Sequence, residues 1–452
     1  MRLTVLGRLL GAQALSSIGT SISTVALVIM VGKLTGSALH MGGVLAVSTF
    51  PLIVTSWIGG AILDRFSAKR VMVLADLVRA ALIFSMPFLA EVRVGFIYGV
   101  ACLVGVFSAV FNPGQMKLTS ELVERDQLVR VNSYLSVSRD GAELAGYLAG
   151  GALVALVGYK VAFVLDAASY VASALLLVGL PGPAPRAGPP ARVADLLAQS
   201  PRVFARLWRH PGLRTNLLLA VLPGVAIMMS LPLSYALILE VFEAEDWAIG
   251  VLEGAIAAGL ILGGLAISRM ALRRDKNLYV LFSLILVAGC LVGIRFGDHL
   301  WLCILLMGVI GVANVGIFVP SITMYQETSA EGDKGRLLAI RGGFGQVGAT
   351  AGYLLGGFVG EALGIRQGFL MGGVAVLVVS LLVYVPYRIG SSRRARTARE
   401  AVLASGASRT AAREAARAAA LGDPVPSRPV STGDAAEAWS LAVEQIELED
   451  KR

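Results

Sequence analysis

The chain has 452 residues, 56% of them hydrophobic and only 15% charged, with 52 glycines and a formal net charge of +9. Soluble domains carry about 25% charged residues, so the composition excludes an ordinary globular enzyme and points to a polytopic membrane protein. The positive balance does not point to nucleic acid, because the basic residues sit in short loops between apolar runs with no aromatic–basic surface beside them.

Met1-Arg2 and the apolar run that follows imitate a secretory leader, with Ala12-Gln13-Ala14 as an apparent cleavage site. The apolar run continues to Val31, however, which is long enough for an uncleaved first span. Apolar segments of spanning length then run over 9–31, 40–63, 71–90, 94–113, 132–157 and 160–180. A second set covers 215–239, 247–268, 277–294, 300–324, 337–361 and 366–387. Twelve spans leave both ends of the chain on one side. Loops after even-numbered spans hold the basic groups Arg65, Lys69, Arg70; Lys117, Arg125, Arg130; Arg269, Arg273, Arg274, Lys276; and Lys334, Arg336. Loops after odd-numbered spans hold few cations and one acidic group, Glu240, Glu243, Glu245 and Asp246. Clustered Lys and Arg mark the cytoplasmic side, so both termini are expected in the cytoplasm.

Between the two sets, Pro181, Pro183, Pro185, Pro189 and Pro190 open a segment that resists packing. The expected organisation is an all-α protein: a six-helix bundle over 1–180, a cytoplasmic linker over 181–214, a second six-helix bundle over 215–387 and a soluble cytoplasmic tail over 388–452. The tail is rich in alanine and arginine from Arg393 to Leu421, where a surface helix is expected, and acidic near its end. An internal repeat supports the division. Ala145-Gly146-Tyr147-Leu148-Ala149-Gly150-Gly151 recurs as Ala351-Gly352-Tyr353-Leu354-Leu355-Gly356-Gly357. Pro113 and Asp126 are echoed by Pro320 and Asp333, and Gly59, Gly60, Arg65, Lys69 and Arg70 by Gly263, Gly264, Arg269, Arg273 and Arg274. Two related halves joined by a linker are the build of a rocking transporter.

The loop Gly59-Gly60-Ala61-Ile62-Leu63-Asp64-Arg65-Phe66-Ser67-Ala68-Lys69-Arg70 resembles the signature between helices 2 and 3 of the major facilitator superfamily, Gly-x-x-x-Asp-Arg followed by a basic pair. Other residues are similar to its macrolide- and siderophore-exporter branch: Gly36-Ser37-Ala38, Asp76-x-x-Arg79, Phe111-Asn112-Pro113, Asn132-Ser133 and Asp166-Ala167-Ala168-Ser169-Tyr170. The resemblance runs to about Pro386. It implies a conformational-switch loop of Gly60, Asp64, Arg65, Lys69 and Arg70, in which Asp64 faces the start of helix 11, where a carboxylate is favoured by the helix dipole. A static loop clamp is the plainer reading. The antiporter signature of helix 5, Gly-Pro-x-x-Gly-Gly, appears without its proline at Gly146–Gly151, helix 4 has no intramembrane arginine, and Gly19-Thr20 stands where many relatives of this branch have Gly-Asp.

Charge inside a membrane is costly and marks functional candidates. Arg139, Asp140 and Glu143 lie two to three turns inside helix 5, Asp166 in helix 6 and Glu253 in helix 8. Arg139 and Glu143 are one turn apart and can pair, whereas Asp140 points about 100° away. A structural or gating ion pair at Arg139–Glu143 and proton coupling through Asp140, Glu143 or Asp166 both stay open. Gly348, Gly352, Gly356 and Gly360 recur at every fourth position of helix 11, with Gly146 and Gly150 similar in helix 5. Such spacing permits close helix packing, or a sliding surface. On the family pattern the cavity is lined by helices 1, 4, 7 and 10, with Ser17, Thr20, Phe107, Phe111, Met228, Met229 and Asn314 as candidates. Their apolar bias suits drugs, lipids or siderophores better than sugars.

The three cysteines and three histidines are scattered, and no phosphate-binding Gly-x-x-x-x-Gly-Lys motif is present, so no metal, cofactor or enzymatic constellation is expected. Gly343-x-Gly345-x-x-Gly348 has no strand before it and is not a dinucleotide site. The expected function is outward transport of a small amphipathic molecule across the plasma membrane, with protons as the coupling ion. A lysophospholipid flippase or uncoupled facilitator on the same fold is the alternative. The partners are a small-molecule substrate, the bilayer and protons, and not nucleic acid.

Overall fold

The computed structural model describes residues 3–65, 67–123, 127–181, 203–270, 275–328, 334–404 and 415. Twelve long helices account for nearly all of them, and no strand occurs among the described residues. In chain order they are α1 (Leu3–Thr35), α2 (Ala38–Arg65), α3 (Ala68–Val92), α4 (Val94–Leu122), α5 (Leu128–Val157) and α6 (Tyr159–Val178), followed by α7 (Pro211–Ala236), α8 (Trp247–Ser268), α9 (Lys276–Phe296), α10 (Leu300–Thr328), α11 (Lys334–Leu363) and α12 (Ile365–Ala404). Ten are long and apolar enough to cross a membrane, and α2 adds the apolar run Ala38–Ile53. The protein is an all-α polytopic membrane protein.

Each expected span corresponds to one helix, and the differences lie at the ends. α7 begins at Pro211, inside the stretch expected as linker. Proline suits a first helical position because its missing N–H has no partner there anyway, and His210 caps the end by accepting from Leu213 N at 3.2 Å. A short helix at 203–209 precedes it, with Val203 and Leu207 buried and Phe204 stacked between Trp208 and Phe344 of α11. The remainder of the proline-rich linker, 182–202, lies outside the described residues. α12 passes without a break through the expected boundary at 387 and ends at Ala404. Most of the tail expected as a surface helix lies outside the described residues.

Within the first half α1 packs on α5 and α6, and α3 on α4 and α6. Within the second half α8 packs on α10, and α9 on α10 and α12. The halves meet along two seams, α2 on α11 and α5 on α8. Among the described side chains, the contacts of both seams run to mid-helix from the end of the molecule away from the chain termini, here the distal end. There Lys33 Nζ meets Asp246 at 2.6 Å and Ser37 donates to Glu361 at 3.2 Å; near mid-helix Thr49 and Thr350 hydroxyls are 3.2 Å apart. One apolar core joins both halves here, including Met30, Met41, Leu233, Ile249 and Phe369. At the terminal end each half has its own cluster instead: Leu9, Met72, Leu118 and Leu177 in the first, Leu207, Leu217, Met324 and Tyr325 in the second.

Tight distal turns make this joining possible. Gly36, Gly158 and Gly364 have φ of 55°, 81° and 93°, a region that glycine enters without a Cβ clash, and two of them end the repeat-related helices α5 and α11.

Candidate functional site

The first half contains a buried charged cluster built by α3 and α6. A three-residue spacing puts Asp76 and Arg79 on one face of α3, where they are 0% and 4% exposed and Arg79 donates to the Asp76 carboxylate. Ser173 of α6 donates to the other Asp76 oxygen at 2.8 Å. The Arg79 guanidinium lies over the rings of Phe111 (4.6 Å) and Tyr170 (4.3 Å), two cation–π contacts. Tyr170 extends the network to α1 through Thr20, oxygen to oxygen 2.8 Å.

Asp166 stands one turn before Tyr170 on α6 and is fully buried. The Ser169 hydroxyl donates to the Asp166 main-chain carbonyl at 2.8 Å and lies 3.3 Å from Oδ1, and Ser23 of α1, whose hydroxyl donates to the Thr20 carbonyl, faces the same carboxylate. α1 comes so close here that a Cβ on Gly19 would lie 2.5 Å from Oδ1. Oδ2 is buried with no hydrogen-bond partner among the described residues. One guanidinium therefore serves two buried carboxylates.

The second half has two polar sites. Near its terminal end Asn216, Asn277 and Ser321 form a neutral network at 2.8 and 2.6 Å, closed by a 3.1 Å bond from Asn277 to Gly212 O. Closer to the distal end Tyr235 of α7 donates to Glu253 of α8.

The remaining candidates spread out. Lys69 Nζ donates to Val178 O (2.8 Å) and Leu180 O (2.5 Å), and Arg8 donates to Gly179 O, so the two cations cap α6. Arg70 is exposed. The surroundings of Gly60 and the side chains of Asp64, Arg65 and Asp140 lie outside the described residues. Arg139 Nε stands 3.8 Å from Glu143, and both are about two-fifths exposed. Gly146 and Gly150 face Ile18 and Ile22 of α1; Gly348, Gly352 and Gly356 face Val221, Val225 and Met229 of α7. Of the cavity candidates, Thr20 is exposed near mid-membrane, Phe107, Met228 and Asn314 are half-buried, and Phe111 is buried beneath Arg79.

Three features escaped the sequence reading. Asp76 and Arg79 registered only as marks of resemblance, because their partners lie on α4 and α6. Tyr235 is an unremarkable aromatic residue in an apolar run. Arg341, two turns into α11, lies 5.4 Å over Phe318 of α10 and was passed over inside a glycine-rich segment; a lone cation at that depth was the available signal.

The family model described as Major Facilitator Superfamily matches residues 9–293 and 224–442. The chain belongs to the major facilitator superfamily. Its members are transporters rather than enzymes, and a multi-pass place in the plasma membrane and a small-molecule substrate follow. Among similar proteins, the multidrug efflux pump Tap of Mycolicibacterium fortuitum is 25% identical over 404 residues, covering 84% of this chain and 95% of Tap. The MFS-type transporter YfiS of Bacillus subtilis is 24% identical, covering 85% and 94%. Macrolide efflux protein A of Streptococcus pyogenes is 21% identical, covering 82% and 93%.

Proposed function

We propose that this superfamily member exports a small, largely apolar molecule of drug type by alternating access of its two six-helix halves, driven by protons moving inward. The observation that carries the reading is how the halves join among the described residues: a shared core and seam contacts from the distal end to mid-helix, and separate clusters at the terminal end. With the basic loops and both termini taken as cytoplasmic on their charge, this joining supports an inward-open reading. The names of the relatives, a multidrug efflux pump and a macrolide efflux protein, support the substrate class and direction.

The proton reading is supported by the buried cluster. Two carboxylates and one guanidinium leave a negative charge without compensation, and buried charge of that kind is tolerated only with a partner. The unpaired Oδ2 of Asp166 is where a proton completes the cluster. The terminal-end network of the second half, Asn216–Asn277–Ser321, is neutral and satisfied and offers no comparable site.

The test is dye and macrolide transport in everted vesicles, with and without an uncoupler. Uncoupler-sensitive transport that is lost in Asp166→Asn supports the reading. Transport indifferent to the uncoupler overturns proton coupling and leaves a facilitator or lipid flippase.

A further inference from the structure

The distal seam contains a second acid that the coupling cluster does not use. Glu253 lies six residues in from the distal start of α8, about 9 Å down the helix axis, and is 7% exposed. Its carboxylate accepts from Tyr235 of α7. Tyr147 of α5 and Tyr353 of α11 lie close enough to interact electrostatically with it, and Tyr147 also reaches Ser21 of α1. Glu253 thus sits where a helix of the second half meets α5 of the first, with α11, the helix of the other seam, beside it. Phenols and a serine can donate hydrogen bonds but supply no positive charge. No lysine or arginine is paired with Glu253 among the described residues; the other charged groups in the surroundings are Glu143, which faces Tyr147 and has the same sign, and Arg139, which stands beside Glu143. Beside this cluster the backbones of α5 and α8 touch: a Cβ on Gly151 would lie 2.5 Å from the Gly250 Cα. The closed seam leaves no width for water at that crossing, and an ionised carboxylate there would be a buried charge without a counter-charge.

We propose that Glu253, held by Tyr235 with Tyr147 and Tyr353 nearby, is a proton-binding site that latches the outer seam: the seam closes around the protonated acid and parts when the proton leaves. A proton arriving from the outer water when α5 and α8 are apart removes the charge that opposes closure, and the tyrosines then seat the neutral group. The latch rests on the alternating-access reading, but on neither Asp166 nor a particular substrate.

The experiment uses the full chain in lipid nanodiscs with Cys102, Cys290 and Cys303 replaced by alanine and spin labels at L34C and L363C, exposed positions on the distal ends of the two halves. Pulsed electron–electron distances are recorded from about pH 5 to about pH 9, a range wide enough to titrate a shifted carboxyl group. The parent should move from a short to a long distance as pH rises. Glu253→Gln, neutral throughout, should keep the short distance at every pH. Tyr235→Phe should retain the transition with its midpoint displaced by about one pH unit, the effect of one hydrogen bond to a charged form. Asp166→Asn should stop export in vesicles yet keep the transition, which separates failure of the latch from failure of the transport reading. A parent without a transition, a Glu253→Gln variant that opens like the parent, or a transition that follows Asp166 instead overturns the proposal.

Discussion

Arg79 shows what a single side chain contributes in this protein. It is held edge-on by Asp76 and face-on by Phe111 and Tyr170, so both its charge and its flat shape are used. Arg79→Ala leaves two carboxylates buried without a counter-charge and should cost about 3–5 kcal/mol. Arg79→Lys restores the charge but not the stacking between two rings and should fall between alanine and wild type in thermal unfolding of the detergent-solubilised protein; an unchanged unfolding temperature for the alanine variant would contradict the geometry. Asp275 behaves in the opposite way. It caps α9 by accepting from Asn277 N at 3.0 Å, and burial pushes its carboxyl above the usual carboxylate range despite Lys276 and Arg388 nearby. An acid whose folded-state value is raised favours folding in its protonated form, so its contribution falls as pH rises from the unfolded value through the folded one. Asparagine caps as well as aspartate and does not ionise. Asp275→Asn should therefore match or exceed wild-type stability at neutral pH, while Asp275→Ala loses about 1 kcal/mol of capping; the same unfolding assay ranks the three. At this scale the sequence was informative about which groups are costly to bury, such as Asp166 and Glu253, and silent about which groups satisfy them. Ser173, Tyr170 and Phe111 are distant from Asp76 and Arg79 along the chain, and nothing local marks them as partners.

At the scale of helices, the repeated Gly-Gly pair divides its work between two neighbours. Gly150 faces Ile22 of α1 and Gly356 faces Met229 of α7, each inside its own half. The next residues turn about 100° around the helix and face the opposite half: Gly151 meets Gly250 of α8, and a Cβ on Gly357 would lie 2.7 Å from Leu39 Cα of α2. The four-residue spacing of glycine in α11 was legible as a close-packing face, and that face lies against α7 of the same half. Which glycines form the seams was not legible, because each seam contact needs a second helix that the spacing does not specify. The two kinds of glycine should respond differently to a bulky side chain. Gly352→Leu drives a side chain into Val225 O of α7 and should abolish folded protein, read as loss of the monodisperse peak in size-exclusion chromatography. Gly151→Leu drives it against a helix that, on the proposed alternating access, moves away during transport. It should leave that peak intact and increase alkylation of cysteines placed at the distal seam. Equal loss of folded protein in both variants would remove the distinction.

For the whole molecule, the number of spans and their order were readable because each rests on a local quantity: an apolar run of spanning length or a motif that returns. The conformation was not readable, since either closed end is compatible with the same runs and loops. The proposed conformation rests on where the two halves touch, and Thr49 and Thr350 belong to that contact, their hydroxyls 3.2 Å apart across the α2–α11 seam. Cysteine is close to threonine in size, and two sulfurs at such facing positions approach the geometry of a disulfide. Thr49→Cys with Thr350→Cys, in a background without the three native cysteines, should form a crosslink under mild oxidation. That crosslink ties the halves together where the proposed mechanism opens the outer path. Export in vesicles should stop on oxidation and return with reductant, while each single variant transports in both conditions. Substrate should still reach the locked protein from the cytoplasmic side, because the separate clusters at the terminal end are untouched by the crosslink. Binding retained with export lost places the moving step at this seam; export that continues through the crosslinked protein would mean that the halves do not separate along α2 and α11.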